Sequence, residues 1–168
     1  MRFKYCPHCG SQLILKEIGD EGFIPYCTNC KIPLFDVFPC AIIVLIINEY
    51  NEALLLKQDY ISSQYANLVS GYMKIGETAE SCTYREVKEE VGLDLESLQY
   101  VSTYWFKKKE MLMIGFIGNV KKKEIKLSKE VNDAYWMNIH EAIHQVHPKG
   151  ITSYALIEYY IKENEQSL

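Results

Sequence analysis

The chain has 168 residues, 48% of them hydrophobic and 24% charged, enough for one packed domain and a small appendage. Its longest purely apolar run, Ala41–Ile47, is too short to span a bilayer, and the start MRFKYCPHC shows no apolar core before a small-residue cleavage site, so a cytoplasmic protein with no membrane segment is expected. A net charge of −4 argues against a chain built to lie along nucleic-acid phosphates.

The first feature in chain order is a pair of knuckles, Cys6-Pro7-His8-Cys9 and Cys27-Thr28-Asn29-Cys30, with 17 residues between them. This is zinc-ribbon spacing: thiolates of Cys6, Cys9, Cys27 and Cys30 can enclose a structural Zn²⁺ tetrahedrally. So short a segment cannot bury enough apolar surface to fold alone, and the ion supplies the missing stability. A redox reading of the CxxC pairs would need a βαβ context, and none follows. His8 is a bystander, because four cysteines close the shell and leave no open position for a substrate. Cys40 and Cys82 fall outside the spacing and read as small buried apolar residues. The expected division is a ribbon over residues 1–33 and a larger domain over residues 34–168.

After the connector Pro33 to Pro39, Cys40–Ile47 and Ala53–Gln58 read as strands joined by the polar turn Asn48–Glu52. Leu68–Ser70 is a short strand entering Gly71. Thr78–Val91 has a helical pattern, with Thr78 as cap and Gly92 as stop. Leu98–Lys107 and Met111–Val120 form a hairpin with lysines at its tip, and both Lys107–Lys109 and Lys121–Lys123 read as solvated turns. A strand at Ala134–Asn138 and helices at Ile139–Val146 and Thr152–Lys162, interrupted at Pro148 and Gly150, complete a mixed sheet with helices on both faces.

The helix at Thr78–Val91 carries the chemistry. Glu86, Glu89 and Glu90 stand at i, i+3 and i+4, so three carboxylates converge on one face. Hard cations between them would relieve the repulsion, and Mg²⁺ shares its oxygen shell readily with substrate phosphates. Arg85 can orient a carboxylate of Glu89. Gly71 and Gly76 allow a loop close to the helix start, where Glu77 meets the positive end of the helix dipole. The full pattern runs Gly71, five residues, Glu77, seven residues, Arg85-Glu86, an aliphatic, one residue, Glu89-Glu90, one residue, Gly92 and an aliphatic. By average residue frequencies a chance match at one start position is on the order of one in a billion, far too rare for a merely acidic helix end.

On these residues the chain resembles the Nudix hydrolase family. The resemblance implies an α/β/α sandwich with a mixed β-sheet, here preceded by the small ribbon. It also implies hydrolysis of nucleoside diphosphate compounds with Mg²⁺ or Mn²⁺ as catalytic cofactor and a nucleoside monophosphate as product. Glu86, Glu89 and Glu90 become the metal ligands by match to the motif; Arg85 and Glu77 are positioners. A four-cysteine ribbon directly before such a domain resembles the NADH pyrophosphatase subfamily. That likeness extends to Glu130-Val131 before Ala134-Tyr135-Trp136, which implies Glu130 as a further metal ligand or base. It fails at the substrate signature: Thr103–Lys108 replace the Ser-Gln-Pro-Trp of that group, and five residues precede the first cysteine where typical members carry a larger domain.

The favoured substrate is therefore of the NADH, NAD or ADP-ribose type, with a nucleoside triphosphate as alternative. A non-enzymatic nucleotide-sensing module is the third reading. The expected partner is a nucleotide small molecule; capped RNA stays open among nucleic acids, and a homodimer is one further option. Tyr104, Trp105 and Phe106 cannot all face the core of one strand, so at least one is available for base stacking or a subunit contact. His140, His144 and His147 share one helical face on paper, but the helix should already fail before Pro148, so a solvated or partly buried face is expected rather than a metal site.

Overall fold

Three short strands, β1 (Ile14–Glu17), β2 (Phe23–Cys27) and β3 (Ile32–Pro33), organise the first of two compact units, residues 1–38; the second is residues 39–168. The computed structural model describes residues 3–148 and 152–165. In the small unit β2 lies between its antiparallel neighbours, paired from Ile14↔Tyr26 to Glu17↔Phe23 on one side and at Cys27↔Ile32 on the other. Its buried centre is Cys6, Leu13 and Cys27, with Phe3, Cys30, Ile32 and Leu34 packed around it. Every residue of β1 is exposed. That is too little apolar burial for a stable core, as the sequence suggested.

The second unit is built on β4 (Cys40–Asn48), whose run of aliphatic residues is buried on both faces. It pairs in parallel with β9 (Met111–Val120) along its whole length, from Cys40↔Leu112 to Asn48↔Val120. The remaining pairings are antiparallel: β5 (Glu52–Gln58), β6 (Ser62–Asn67), β7 (Val69–Tyr72), β8 (Ser97–Phe106) and β10 (Asp133–Asn138) join in the order β10-β5-β4-β9-β8, with β6 on β5 and β7 on β4. Asn48 closes the β4–β5 turn, its side-chain oxygen accepting from the amides of Tyr50 and Glu52 at 2.9 and 3.1 Å.

The alternation of strand residues divides the core in two. Ile42, Val44 and Ile46 point to the face covered by α1 (Ala79–Val91), where Cys82, Val87 and Val91 are buried. Ala41, Ile43, Leu45 and Ile47 point to the other face, against Ile139 and Ala142 of α2 (Ile139–Ala142) and Leu156 and Ile157 of α3 (Thr152–Glu165). The result is the expected α/β/α sandwich on a mixed sheet.

Three elements depart from their expected form. Strand β6 is polar, SSQYAN, and gave no strand signal; it exists because it pairs with β5. The helix expected to reach Val146 stops at Ala142, because the next turn is taken by β6: the Ala66 amide donates to the Gln145 carbonyl at 2.9 Å and Ala66 bridges to Val146. His140 thus stays on α2, His144 lies in the following turn, and His147 packs its ring 4.7 Å from that of Tyr65. Lys107–Lys109 do form the hairpin tip as a 3₁₀ turn, but Lys121–Lys123 lie in an irregular connection, where Lys122 Nζ pairs with Glu52 at 2.7 Å. Gly150 lies outside the described residues. Among the described residues, no helix is long and apolar enough to cross a membrane.

Candidate active site and cysteine cluster

Helix α1 begins with a reciprocal cap. The Thr78 hydroxyl accepts from the Ser81 amide and the Ser81 hydroxyl accepts from the Thr78 amide, which satisfies two of the donors every helix start leaves open. Gly92 ends it in the left-handed region at φ 72°. A side chain there would also strike Lys126, whose Cβ would lie 2.9 Å from the added carbon. Gly92 therefore lets the connection between β9 and β10 pass close, and that connection is strapped to the helix end: Lys126 N donates to the Val91 carbonyl and Ser128 N to the Glu90 carbonyl, both at 3.0 Å. This brings Ser128, Lys129 and Glu130 over the helix. Glu86, Glu89, Glu90 and Glu130 line one cleft of about 300 Å³ together with Ser128 and Lys129.

Arg85 is the hub of the motif. Its guanidinium donates to both oxygens of Glu77, to Glu86 at 2.6 Å, to Glu89 at 3.0 Å and to the Tyr72 carbonyl at 3.2 Å. Glu77 in turn accepts from the Lys74 amide at 2.8 Å, so the loop is tied to the helix through one side chain. The Arg85 bonds hold the Glu77 carboxyl down to about 2. Glu86 is pushed up by its own burial, against the opposing pull of Arg85. Gly71 is required by this packing: an added Cβ would fall 2.0 Å from the Glu86 carboxyl carbon.

Glu90 is different. It is 5% exposed, one carboxyl oxygen is buried without a hydrogen-bond partner, and desolvation with the nearby Glu86 and Glu130 charges raises it to about 8. A buried, orphaned carboxylate oxygen among three further carboxylates is the donor set of a hard divalent cation. The set is open rather than closed, since Arg85 draws Glu86 and Glu89 towards itself.

The cysteines contrast with this. Among the described residues, Cys6, Cys9, Cys27 and Cys30 are the one group of three or more such ligands whose donor atoms all lie within 4.8 Å of one another. The sulfurs of Cys6 and Cys30 are 3.9 Å apart and those of Cys9 and Cys27 3.5 Å. A tetrahedral shell with Zn–S bonds of about 2.3 Å would set them about 3.8 Å apart. The Ser11 hydroxyl and amide beside Cys9 pull its thiol down to about 5. The four residues fit Zn²⁺. Cys40 is half-buried and Cys82 buried, both outside the cluster.

The aromatic run separates as alternation requires. Tyr104 and Phe106 pack into the core beneath α3, while Trp105 is 54% exposed. A register shift between Tyr100 and Ser102 decides which face each takes. Before it Leu98 and Tyr100 share the α1 face with Phe116; after it that face receives Thr103 and Trp105. Sequence reading missed a second group. A cavity of about 580 Å³, sharing Lys129 and Glu130 with the first, is lined also by Asp59, Tyr60 and Asn132. Asn132 closes it by accepting from the Asp59 amide at 2.9 Å across 73 residues of sequence, a contact no local pattern announces.

A mixed sheet sandwiched by helices, with a loop–helix motif presenting carboxylates, defines a Nudix domain; the NUDIX domain family model matches residues 37–159, and the chain belongs to that family. Among curated proteins it is 27% identical to the NAD-capped RNA hydrolase NudC of Vibrio parahaemolyticus, over 95% of this chain and 60% of that protein. It is 30% identical to the NudC of Stutzerimonas stutzeri, over 94% of this chain and 56% of that protein. The chain thus spans less than two thirds of the length of these relatives. Among solved structures, a NUDIX hydrolase from Nitrosomonas europaea matches 98% of this chain and 93% of its own, with TM-score 0.72 and 19% identity. The NUDIX domain of Shewanella oneidensis NrtR, solved with ADP ribose, matches 83% of this chain and 94% of its own, with TM-score 0.64 and 12% identity. At these identities the structures speak for the fold.

Proposed function

We propose that this protein is a divalent-cation-dependent pyrophosphohydrolase that splits a nucleoside diphosphate linked to a second moiety, NADH, NAD or ADP-ribose in type, and releases a nucleoside monophosphate. The observation that carries the reading is the buried, orphaned Glu90 oxygen set among Glu86, Glu89 and Glu130. The NudC relatives support the dinucleotide class, and their action on NAD-capped RNA makes such an RNA end a substrate worth testing beside the free dinucleotide.

Glu86, Glu89, Glu90 and Glu130 would hold Mg²⁺ or Mn²⁺, which when bound supplies charge neutralisation for the pyrophosphate and a more acidic water. Arg85 keeps Glu86 and Glu89 aligned, and Glu77 fixes Arg85, so these two position and do not react. Lys129 brings a cation to the cleft wall where substrate phosphates would lie. Trp105 offers a ring on the α1 face for a base. Cys6, Cys9, Cys27 and Cys30 would hold Zn²⁺ as a structural ion. A triphosphate substrate is the second reading, motivated by Thr103–Lys108 in place of the dinucleotide signature.

One panel separates them. The protein is incubated with Mg²⁺ or Mn²⁺ and NADH, ADP-ribose, diadenosine polyphosphates, nucleotide sugars, NAD-capped RNA or dNTPs, and released monophosphate is measured. Cleavage of NADH or ADP-ribose supports the first reading; turnover confined to triphosphates replaces it with the second; no turnover at all sinks both.

A further inference from the structure

The turn after β5 and the connection between β9 and β10 meet around the second cavity, of about 580 Å³. Asn132 joins them twice: its backbone amide donates to the Lys57 carbonyl and its side-chain oxygen accepts from the Asp59 amide, both at 2.9 Å. At its other end the connection is fixed to α1 by the Ser128 amide on the Glu90 carbonyl. Lys129 and Glu130 lie between these two anchors and line both the carboxylate cleft and the second cavity. A phosphate chain held among Glu86, Glu89 and Glu90 therefore leads past Lys129 into that cavity.

The far wall is firmly built, yet its polar and aromatic groups are left unused. Tyr60 is pinned at its tip: Gln58, 1% exposed, donates from Nε2 to the Tyr60 hydroxyl at 3.3 Å, and the Ile61 amide closes the turn on the Gln58 carbonyl at 2.9 Å. The ring itself remains 67% exposed. A ring fixed but uncovered is a preorganised stacking surface, because it loses little freedom when a flat partner settles on it. Beside it, among the described residues, no hydrogen bond or ion pair engages the Asp59 carboxylate or the Asn132 amide nitrogen. An ionised carboxylate only accepts and an amide nitrogen only donates. Hydroxyl groups suit both, since each gives one proton and can take another. Hydroxyls next to a planar ring describe a ribonucleoside, and carboxylates read ribose hydroxyls in other dinucleotide sites. The cavity volume falls within the range of about 300–1,000 Å³ common to small-ligand sites.

We propose that Asp59, Tyr60 and Asn132 form the subsite for the second moiety of the substrate, a ribosyl group with or without its base. Asp59 and Asn132 hold the ribose hydroxyls, and the Tyr60 ring takes the base. In the sheet β4 and β9 separate β5 from β8, so Tyr60 and Trp105 serve different arms of the substrate. This rests on the pyrophosphohydrolase reading given above, and it names what that enzyme reads beyond the pyrophosphate.

The test uses three diphosphates that share the adenosine half and differ in the second: the methyl ester of ADP, ADP-ribose and NADH. Cleavage is measured as kcat and KM on the full chain for wild type, Asp59→Ala and Tyr60→Leu, and affinity by calorimetry with Ca²⁺ in place of Mg²⁺. Both side chains are exposed, and Asp59→Ala keeps the backbone amide that Asn132 binds, so Tm should stay near wild type. Asp59→Ala should lower kcat/KM for ADP-ribose and NADH about tenfold relative to the methyl ester, through KM. Tyr60→Leu should lower NADH about tenfold relative to ADP-ribose, the loss of one stacked base. Cleavage with unchanged ratios would overturn the subsite and leave the pyrophosphohydrolase reading standing. An equal loss on all three would also overturn it, because the shared adenosine half would then be what these residues hold. If the wild type cleaves none of the three but calorimetry shows the same ratios, the pyrophosphohydrolase reading fails and the subsite stands. Binding of none would end both.

Discussion

The cysteine cluster and the carboxylate cleft hold their donor atoms in opposite ways. In the small unit the donors are the core: two of the three buried residues at its centre, Cys6 and Cys27, are among the four sulfurs, and the strand β1 beside them is exposed throughout. In the larger unit the donors sit on a core complete without them, two aliphatic layers on either face of β4. Soft sulfur donors close a tetrahedron and exclude substrate; hard oxygen donors leave the shell open to phosphate. One ion would therefore be a part of the fold, and the other a part of the reaction. Removing each should have separable consequences.

The largest effect is expected at Cys27→Ser. With one thiolate gone the head should lose its ion and unfold outright, since metal binding supplies its folding free energy. Zinc content by atomic absorption and loss of the head's amide dispersion by NMR check this, while the resonances of residues 39–168 should persist. A head still folded without zinc would remove the contrast. Next comes Glu90→Gln, expected to lower kcat by at least about a hundredfold with Tm unchanged or raised, because a buried charge is removed along with a cation ligand. Retained turnover would take Glu90 out of the site. Gly71→Ala should cost about tenfold in kcat, because the added methyl displaces the Glu86 carboxyl by simple exclusion; full activity would show that Glu86 need not stand where it does.

These three residues were legible in the sequence for a common reason: each acts within a short stretch. The cysteine pairs need only their spacing, and Glu86, Glu89, Glu90 and the glycines need only one helix and its flanking turns. Glu130 was reached by likeness of its surrounding segment, and the strap from Lys126 and Ser128 to the end of α1 is what gives that placement a physical cause. What stayed hidden depends on pairing between distant segments. Gln58 reads as the polar end of a strand, and only the fold buries it. Tyr60, Asp59 and Asn132 become one wall through a contact across 73 residues. The early end of α2 is imposed by Ala66 of β6, against a helical pattern that would have continued. Likewise the face of Trp105 is set by a register shift between Tyr100 and Ser102 that the residue types do not announce.

Trp105 gives the fourth test. Trp105→Ala should raise KM for a dinucleotide by about tenfold or less with kcat nearly unchanged, the cost of losing one stacked base. An unchanged KM would remove the ring from substrate binding.

The smallest effect is an acid one, and it returns to the two regions. The Glu77 carboxyl is held at about 2, below its ordinary 4.5, chiefly by the Arg85 hydrogen bonds. A group depressed on folding contributes stability above its unfolded value and loses it as pH falls through the folded one. Glu77→Gln should therefore be less stable than wild type by a constant margin above about pH 5, and the margin should shrink between 4.5 and about 2. Both tryptophans, Trp105 and Trp136, lie in the larger unit, so their fluorescence follows that unit alone while acid protonates the cysteine sulfurs in the head. A margin independent of pH across that window would mean that Arg85 and Glu77 are joined by shape rather than by charge.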